Sequence, residues 1–233
     1  MELFDLLTAI TEIIQDPAYT ESILTDKINS AVSIIAAGIR MPNGQISPPL
    51  PDLFKVGTVD TITSASKVPL PTDYQRKVVV IVDSSGNRIL PPVGGDYYSF
   101  ALFLKQINNL NITETGEIYK ICIKGSNLYY QGIPAAAQTL GIHYYRKPVA
   151  MTADDDVPDG IPEHLQERLV KHYVVKEIFG EAIEDGQDNS GIGTKYHTGK
   201  FYEAMTELCD FIGIDAEPQY YGDDGSEDRG ACD

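Results

Sequence analysis

The order of hydrophobic periodicities along the chain restricts its fold more than any other feature. Apolar residues recur every three or four positions in residues 2–15 and again in residues 26–39. They alternate, or cluster as β-branched runs, between about residues 55 and 150, and return to helical spacing after residue 160. The pattern therefore predicts two helices, a β-region and two further helices.

The helical segments have recognisable ends. The first helix, residues 2–15, stops at Asp16-Pro17, because the residue before a proline avoids helical geometry. The second is predicted to begin at Thr25 as its N-cap. The third runs from Pro162 to about residue 184, and the fourth covers about residues 194–212 before Gly213. Four prolines in residues 42–54 predict an extended linker that does not pack.

The middle of the chain predicts about six short strands. Residues 77–82 are a β-branched run, residues 83–87 are its turn, and Arg88 is expected to begin a return strand. Residues 124–127, Lys-Gly-Ser-Asn, predict a hairpin turn between two further strands. Short strands joined by short turns indicate a small β-sandwich or an open barrel.

These elements together predict an α+β fold. A helix pair cannot bury its apolar face alone, so we expect the N- and C-terminal pairs, residues 1–41 and 152–213, to form one four-helix bundle. The β-sandwich or barrel domain, residues 55–151, is inserted between them. Residues 214–233 are acidic and poor in aliphatic side chains, and predict a tail without a core of its own.

Charge is distributed very unevenly. The chain has 34 acidic and 18 basic residues, a formal net charge of −16. Residues 1–150 hold 13 acids and 12 bases, whereas residues 151–233 hold 21 acids and 6 bases. A surface that grips nucleic-acid phosphates needs clustered bases, and so does one that binds anionic lipid. We therefore expect neither DNA nor a membrane to be held as a specific partner.

Nothing in the sequence predicts secretion or covalent cross-linking. No apolar run approaches the ~18 residues of a membrane span, and the acidic residues Glu2, Asp5 and Glu12 are unlike a signal peptide. We therefore expect the chain to start in a cytoplasm. Its three cysteines form no CxxC pair and no even framework, which predicts neither disulfides nor a zinc site.

The acidic cluster Asp154-Asp155-Asp156 is the strongest candidate for metal chemistry. With His143 it defines one alternative function, a metal-dependent hydrolase. The cluster lacks the alternating spacing of a calcium-binding loop, and a solvated loop before a helix is the favoured interpretation. No nucleophile elbow, zinc-protease motif or P-loop occurs in the sequence. We therefore predict no enzyme activity, no cofactor and no metal.

An aromatic and basic run lies at residues 143–148, His-Tyr-Tyr-Arg-Lys-Pro. Stacking of single-stranded nucleic acid on Tyr144 and Tyr145, beside Arg146 and Lys147, is one interpretation. A strand with cross-strand tyrosine pairs is the favoured one. Tyr144, Tyr145 and Arg146 are candidate partner-contact residues.

Two further candidate contacts lie in the acidic tail. Tyr220 and Tyr221 are adjacent aromatic residues, and we expect them to anchor the tail when it orders against a partner.

Four blocks of sequence, in this order, resemble the head–tail connector adaptor proteins of tailed bacteriophages. The first is the N-terminal helix with Asp16-Pro17 and residues 24–31, Leu-Thr-Asp-Lys-Ile-Asn-Ser-Ala. The second is residues 68–74, Val-Pro-Leu-Pro-Thr-Asp-Tyr, and the third is residues 140–148. The fourth is residues 155–163, which lead into the third predicted helix. Together the blocks span most of residues 1–212.

The resemblance implies a structural rather than a catalytic role. Proteins of this kind form a ring, usually of twelve copies, that docks on the portal ring after DNA packaging. The ring extends the DNA channel without binding DNA specifically, and presents a platform for the next neck or tail protein. A close alternative is another neck or tail-completion protein. The proline-rich linker and the acidic tail match no part of the family pattern.

Overall fold

The computed structural model describes residues 1–107, 114–184 and 191–213. It is an α+β structure, as predicted. The helices are α1 (Leu3–Ile14), α2 (Glu21–Ala37), α3 (Phe100–Gln106), α4 (Glu163–Glu184) and α5 (Ile192–Ile212). The strands are β1 (Phe54–Asp60), β2 (Lys67–Pro69), β3 (Tyr74–Val82), β4 (Lys120–Lys124), β5 (Asn127–Gln131) and β6 (Thr139–Arg146).

The described residues divide into two compact units. Residues 1–53 and 147–213 form a helical unit that contains α1, α2, α4 and α5. Residues 54–146 form a β-unit that contains all six strands and α3.

Helix α4 organises the helical unit. It packs against α1, α2 and α5, and its buried residues cover more than one face of the helix. These residues are Leu165, Gln166, Leu169, Val170, Val174, Val175 and Ile178. A helix that contacts three others needs apolar side chains around most of its circumference, which explains why its amphipathic pattern is weak. A regular four-helix bundle stays a prediction.

Hydrogen bonds join the two sequence segments of the helical unit. The N–H groups of Leu3 and Phe4, in the first turn of α1, donate to the carbonyl oxygens of Asp156 (2.8 Å) and Asp154 (3.1 Å). These donors have no partner inside the helix, so the acidic loop caps α1 with its backbone. The Asn29 side chain exchanges two hydrogen bonds with the backbone of Met151, at 2.9 and 2.8 Å.

The second helix begins earlier than predicted. Helix α2 starts at Glu21, and Thr20 in extended geometry precedes it. Thr25 lies inside the helix, where its hydroxyl donates to the Glu21 carbonyl at 2.9 Å. The prediction of Thr25 as N-cap is therefore wrong. Leu24 is buried on the same face as Ile28, so the apolar stripe of α2 extends one turn further back.

The proline-rich segment is packed rather than an open linker. Ser47, Leu50 and Leu53 are each no more than 2% exposed, and residues 51–53 form a 3-10 turn. The prolines hold the backbone extended, but the side chains between them point into the helical unit. The prediction that residues 42–54 do not pack is wrong.

The β-unit contains two three-stranded antiparallel sheets. Their strand orders are β1-β6-β3 and β2-β5-β4. Residues of both sheets, such as Ile81, Ile142, Ile121 and Tyr130, belong to one buried cluster. The two sheets do not close into a barrel within the described residues. The expected return strand at Arg88 is reduced to a single bridge between Val82 and Arg88.

The chain enters and leaves the β-unit on neighbouring strands. Phe54, the first residue of β1, pairs with Tyr145 near the end of β6. Opposed residues of antiparallel strands have Cα atoms only about 4.5–5.5 Å apart. The β-unit is therefore an insertion whose two ends nearly meet.

Two of the three cysteines lie among the described residues. Cys122 and Cys209 are buried free thiols, and burial raises the pKa of Cys122 to about 12. None of the described helices is both long and apolar enough to cross a membrane.

The turn at Gly132 generates a first prediction. Gly132 has φ +81°, and a Cβ there would lie 1.9 Å from the Glu117 carbonyl oxygen. Gly125 has φ +60° but open space around the same position. We expect Gly125→Ala to cost about 1–2 kcal/mol through backbone strain alone. Gly132→Ala adds a backbone clash and should cost more than ~3 kcal/mol, measured as the free energy of denaturant unfolding. Equal losses would contradict this packing.

Candidate assembly surfaces

Tyr144 is the buried member of a hydrogen-bond network whose other members, Asp73 and Lys55, are partly exposed. Its side chain is 1% exposed, and its hydroxyl donates to Asp73 Oδ1 at 2.5 Å. Lys55 Nζ donates to Asp73 Oδ2 at 2.6 Å. The Tyr74 ring lies 5.9 Å from the Tyr144 ring. A Cβ on Gly57 would lie 3.0 Å from the Tyr144 ring, so glycine at this position of β1 leaves room for the ring.

The network shifts the pKa values of Asp73 and Tyr144 in opposite directions. Burial opposes ionisation of Asp73, but the hydrogen bonds from Lys55 and Tyr144 outweigh it and lower the pKa of Asp73. Burial and the adjacent Asp73 carboxylate raise the pKa of Tyr144. Asp73 is thus an ionised acceptor and Tyr144 a neutral donor at neutral pH.

Tyr145 and Arg146 lie beside this network on β6. Tyr145 is 4% exposed, and its ring packs edge-on against Phe54 at 5.7 Å. Arg146 is half-buried opposite Tyr74. The run therefore forms cross-strand aromatic pairs, the interpretation favoured from the sequence. That Tyr144, Tyr145 and Arg146 contact a partner stays a prediction. Tyr220 and Tyr221 lie outside the residues that the structure describes.

The acidic cluster has a structural role in its loop. Asp156 Oδ2 accepts hydrogen bonds from the Thr152 and Ala153 N–H groups, at 2.6 and 2.8 Å. These hydrogen bonds lower the pKa of Asp156, and the bond from Ala153 has the larger effect. His143 belongs to the β-unit and Asp154 to the helical unit. Among the described residues, no group of three His, Cys, Asp or Glu is arranged to hold a metal ion.

A histidine pair between α4 and α5 was not predicted. His172 and His197 lie 25 positions apart, and their Nδ1 atoms are 2.8 Å apart. His197 is 7% exposed and lies near the rings of Phe179 (5.7 Å) and Tyr196 (5.1 Å). One nitrogen must donate and the other accept, so the pair is stable only when at least one ring is neutral.

The surroundings of the pair favour the neutral form. Burial, then the charge of His197, then Lys171 and Arg168 lower the pKa of His172 to about 4. Burial and Lys171 lower the pKa of His197. Protonation of the pair therefore opposes the packing of α5 on α4.

A groove runs along α1 in the helical unit. Its volume is about 580 Å³, and its lining includes Phe4, Leu7, Tyr19, Glu12, Glu21 and Asp154. Phe4, in the first turn of the amphipathic helix α1, is 59% exposed. The buried stripe of α1 is Leu3, Leu6, Leu7 and Ile10, which leaves Phe4 off the core face. The full lining has two apolar residues, one tyrosine, two threonines and three carboxylates, with no basic residue, so the groove combines apolar surface with acidic groups.

A basic patch, opposite in charge to the groove, lies on the β2-β5-β4 sheet where α3 packs. We call Lys67, Phe100, Lys124 and Tyr129 the basic–aromatic patch. The Phe100 and Tyr129 rings are 5.1 Å apart. Lys124 Nζ lies 4.4 Å from the centre of the Phe100 ring, and Lys67 Nζ lies 5.8 Å from that of Tyr129. Both lysines are exposed, and neither forms an ion pair within the described residues.

The two units also differ in overall charge. Residues 1–53 and 147–213 hold 21 acids and 8 bases, whereas residues 54–146 hold 6 acids and 9 bases. In the helical unit most bases are already paired with acids, as in Lys27–Glu181 and Lys200–Glu203. The helical unit is therefore acidic, and the β-unit is mildly basic.

The Tyr144 network generates a second prediction. Tyr144→Phe removes the donor to Asp73 and keeps the ring, so the free energy of unfolding at pH 7 should fall by about 1–2 kcal/mol. Tyr202→Phe is the control, since the Tyr202 hydroxyl has no hydrogen-bond partner within the described part of the chain. Denaturant unfolding measures both. Losses of the same size in the two variants would show that the Asp73 contact contributes nothing.

The histidine pair generates a third prediction. A lowered pKa in the folded state means that the unfolded chain takes up protons first, so stability falls as pH drops from about 6.5 toward about 4. We expect the double variant His172→Gln/His197→Gln to show a shallower fall over this range. His164→Gln, at an exposed histidine, should keep the wild-type slope. Denaturant unfolding at a series of pH values measures this, and identical slopes in all three proteins would refute the assignment.

The sequence of the chain matches a known protein family. A family model described as SU10 adaptor protein matches residues 1–227, nearly the whole chain. This match confirms the resemblance to phage head–tail adaptor proteins. A search of curated proteins found no match.

Proposed function

The chain belongs to the SU10 adaptor protein family, and from that premise we propose that it forms the adaptor ring of a phage head–tail connector. The ring docks on the portal protein, extends the DNA channel and joins the tail. The chain is a structural component of the virion. The family match over residues 1–227 is the observation that carries this proposal.

The exposed surface supports a protein that functions in an assembly. Large apolar side chains are exposed on both units, including Phe4 (59%), Phe211 (64%), Val56 (60%) and Val93 (74%). Single exposed apolar residues are ordinary, but Phe4 lines a groove of 580 Å³. We propose that the helical unit, as a four-helix bundle, forms the body of the ring. Tyr220 and Tyr221 of the tail are proposed contacts to the portal.

The charge of the chain suits a channel through which DNA moves. A ring of twelve copies at −16 each would carry about −190 formal charges, which repel phosphate wherever they face the lumen. Repulsion keeps the DNA from adhering to the wall, so the duplex passes without specific binding. We propose no catalytic step for this chain.

Portal attachment is the fourth prediction. When the chain is mixed with portal particles, we expect it to co-sediment with them, and particle images to show a symmetric ring of adaptor density directly beneath the portal. The variant Tyr220→Ala/Tyr221→Ala should bind less, and Tyr119→Ala, at an exposed tyrosine of the β-unit, is the matched control.

Two outcomes would contradict the proposal. If the wild-type chain never associates with portal particles, the portal-docking role is wrong. If virion images place it lower in the neck, the chain is another neck or tail-completion protein.

A further inference from the structure

Two surfaces of this chain carry opposite charges, and each also contains aromatic rings. The lining of the α1 groove combines the apolar side chains of Phe4 and Leu7 with three carboxylates. The basic–aromatic patch has two rings flanked by the ammonium groups of Lys67 and Lys124. We propose that the patch of one copy docks in the α1 groove of a second copy.

The groove is built to receive such a patch. Its volume of about 580 Å³ lies in the range of sites that accept a few side chains or a small ligand. Phe4 contributes an exposed ring to the lining. Glu12, Glu21 and Asp154 are exposed and form no ion pair within the described residues, so their carboxylates are available to a cation.

The patch presents the matching groups. The Phe100 and Tyr129 rings are half-buried, so each is held firmly and presents part of its surface. Lys67 and Lys124 are held over these rings by cation–π contacts, which leave their ammonium groups able to donate to carboxylates. Most lysines of the helical unit are already paired with acids, as Lys27 is with Glu181.

The charge balance of the units favours the same contact. The unit that carries the groove has 21 acids and 8 bases, and the unit that carries the patch has 6 acids and 9 bases. Contact between helical units of two copies brings like charges together. Contact between the helical unit of one copy and the β-unit of the next brings opposite charges together, which also speeds association.

A contact between two different surfaces has a definite consequence for symmetry. Each copy has one groove and one patch, so the contact is head-to-tail and leaves a free groove and a free patch at the ends. Such heterologous contacts either close into a ring or continue as a filament. The inference rests on the proposed ring and specifies which surfaces join its neighbouring subunits.

Charge reversal at the two surfaces is the fifth prediction. Lys124→Glu and Glu12→Lys should each weaken self-association at least tenfold in analytical ultracentrifugation. Glu12 lies in the last turn of α1, where a lysine also suits the helix dipole. Lys105→Glu and Asp26→Lys are the matched controls, at exposed residues outside both surfaces, and should assemble like wild type.

Mixing the two weakened variants distinguishes this contact from any symmetric one. Lys124→Glu keeps an intact groove and Glu12→Lys an intact patch, and the two altered surfaces again carry opposite charges. An equimolar mixture should therefore assemble beyond dimers as alternating copies, whereas a symmetric contact would stop at dimers. The double variant should recover assembly, because both charges of the contact are exchanged. Carbodiimide cross-linking of ¹⁴N- and ¹⁵N-labelled copies should join Lys67 or Lys124 to Glu12, Glu21 or Asp154 between chains.

Several outcomes would overturn the inference. They are wild-type chains that form no interchain cross-link, single variants that assemble like the controls, and a mixture that does not assemble beyond dimers. Salt-dependent DNA binding that Lys124→Glu abolishes would instead assign the patch to nucleic acid. If wild-type chains form rings on portal particles and both charge-reversal variants still form them, this contact is wrong but portal docking is not. If the protein assembles head-to-tail but never binds portal particles, portal docking is wrong but the contact between copies is not.

Discussion

The helical unit depends on hydrogen bonds between its first 53 residues and residues that follow the β-unit. Asn29 is joined to Met151, and the first turn of α1 to Asp154 and Asp156. The buried Gln166 accepts from the Met1 backbone nitrogen at 2.7 Å and donates to the Ile161 carbonyl at 3.0 Å. Each bond satisfies a polar group at the edge of a core that would be costly to leave unpaired. Helix α4 can pack against α1 and α2 in register because these bonds fix the loop that precedes it.

This arrangement separates the residues that build the fold from those available to partners. The buried stripe of α1 and most of α4 serve the core, while Phe4 and the carboxylates near it do not. On the β-unit, the side chains of Tyr144 and Tyr145 are buried, and their contact with a partner stays a prediction. The partly exposed rings of Phe100 and Tyr129 instead form cation–π contacts with two exposed lysines. Aromatic residues close in sequence or in space can therefore have opposite roles, and burial rather than residue type separates them.

Sequence periodicity predicted the elements whose partners are local. The hairpin at Gly125 and the stripe of α1 depend on neighbours within a few residues, so the pattern contains them. Thr25 was misread because a threonine inside a helix can bond back to the preceding turn. The packing of Leu50 and Leu53 among prolines, and the approach of His172 to His197, depend on distant segments. No local pattern specifies such contacts, and the same holds for the groove and the patch.

The pairing of Phe54 with Tyr145 has a consequence for how the chain reaches its native state. Until residues 147–213 have been synthesised, α1 and α2 lack α4, the helix that covers their apolar faces. Closing a loop of 93 disordered residues would carry a large entropic penalty. Once β1 and β6 pair, the ends of that loop are already together, and the helical unit can close as if joined by a short turn. Early folding of the β-unit thus shortens the interval in which leucines and isoleucines of the nascent chain are exposed to aggregation.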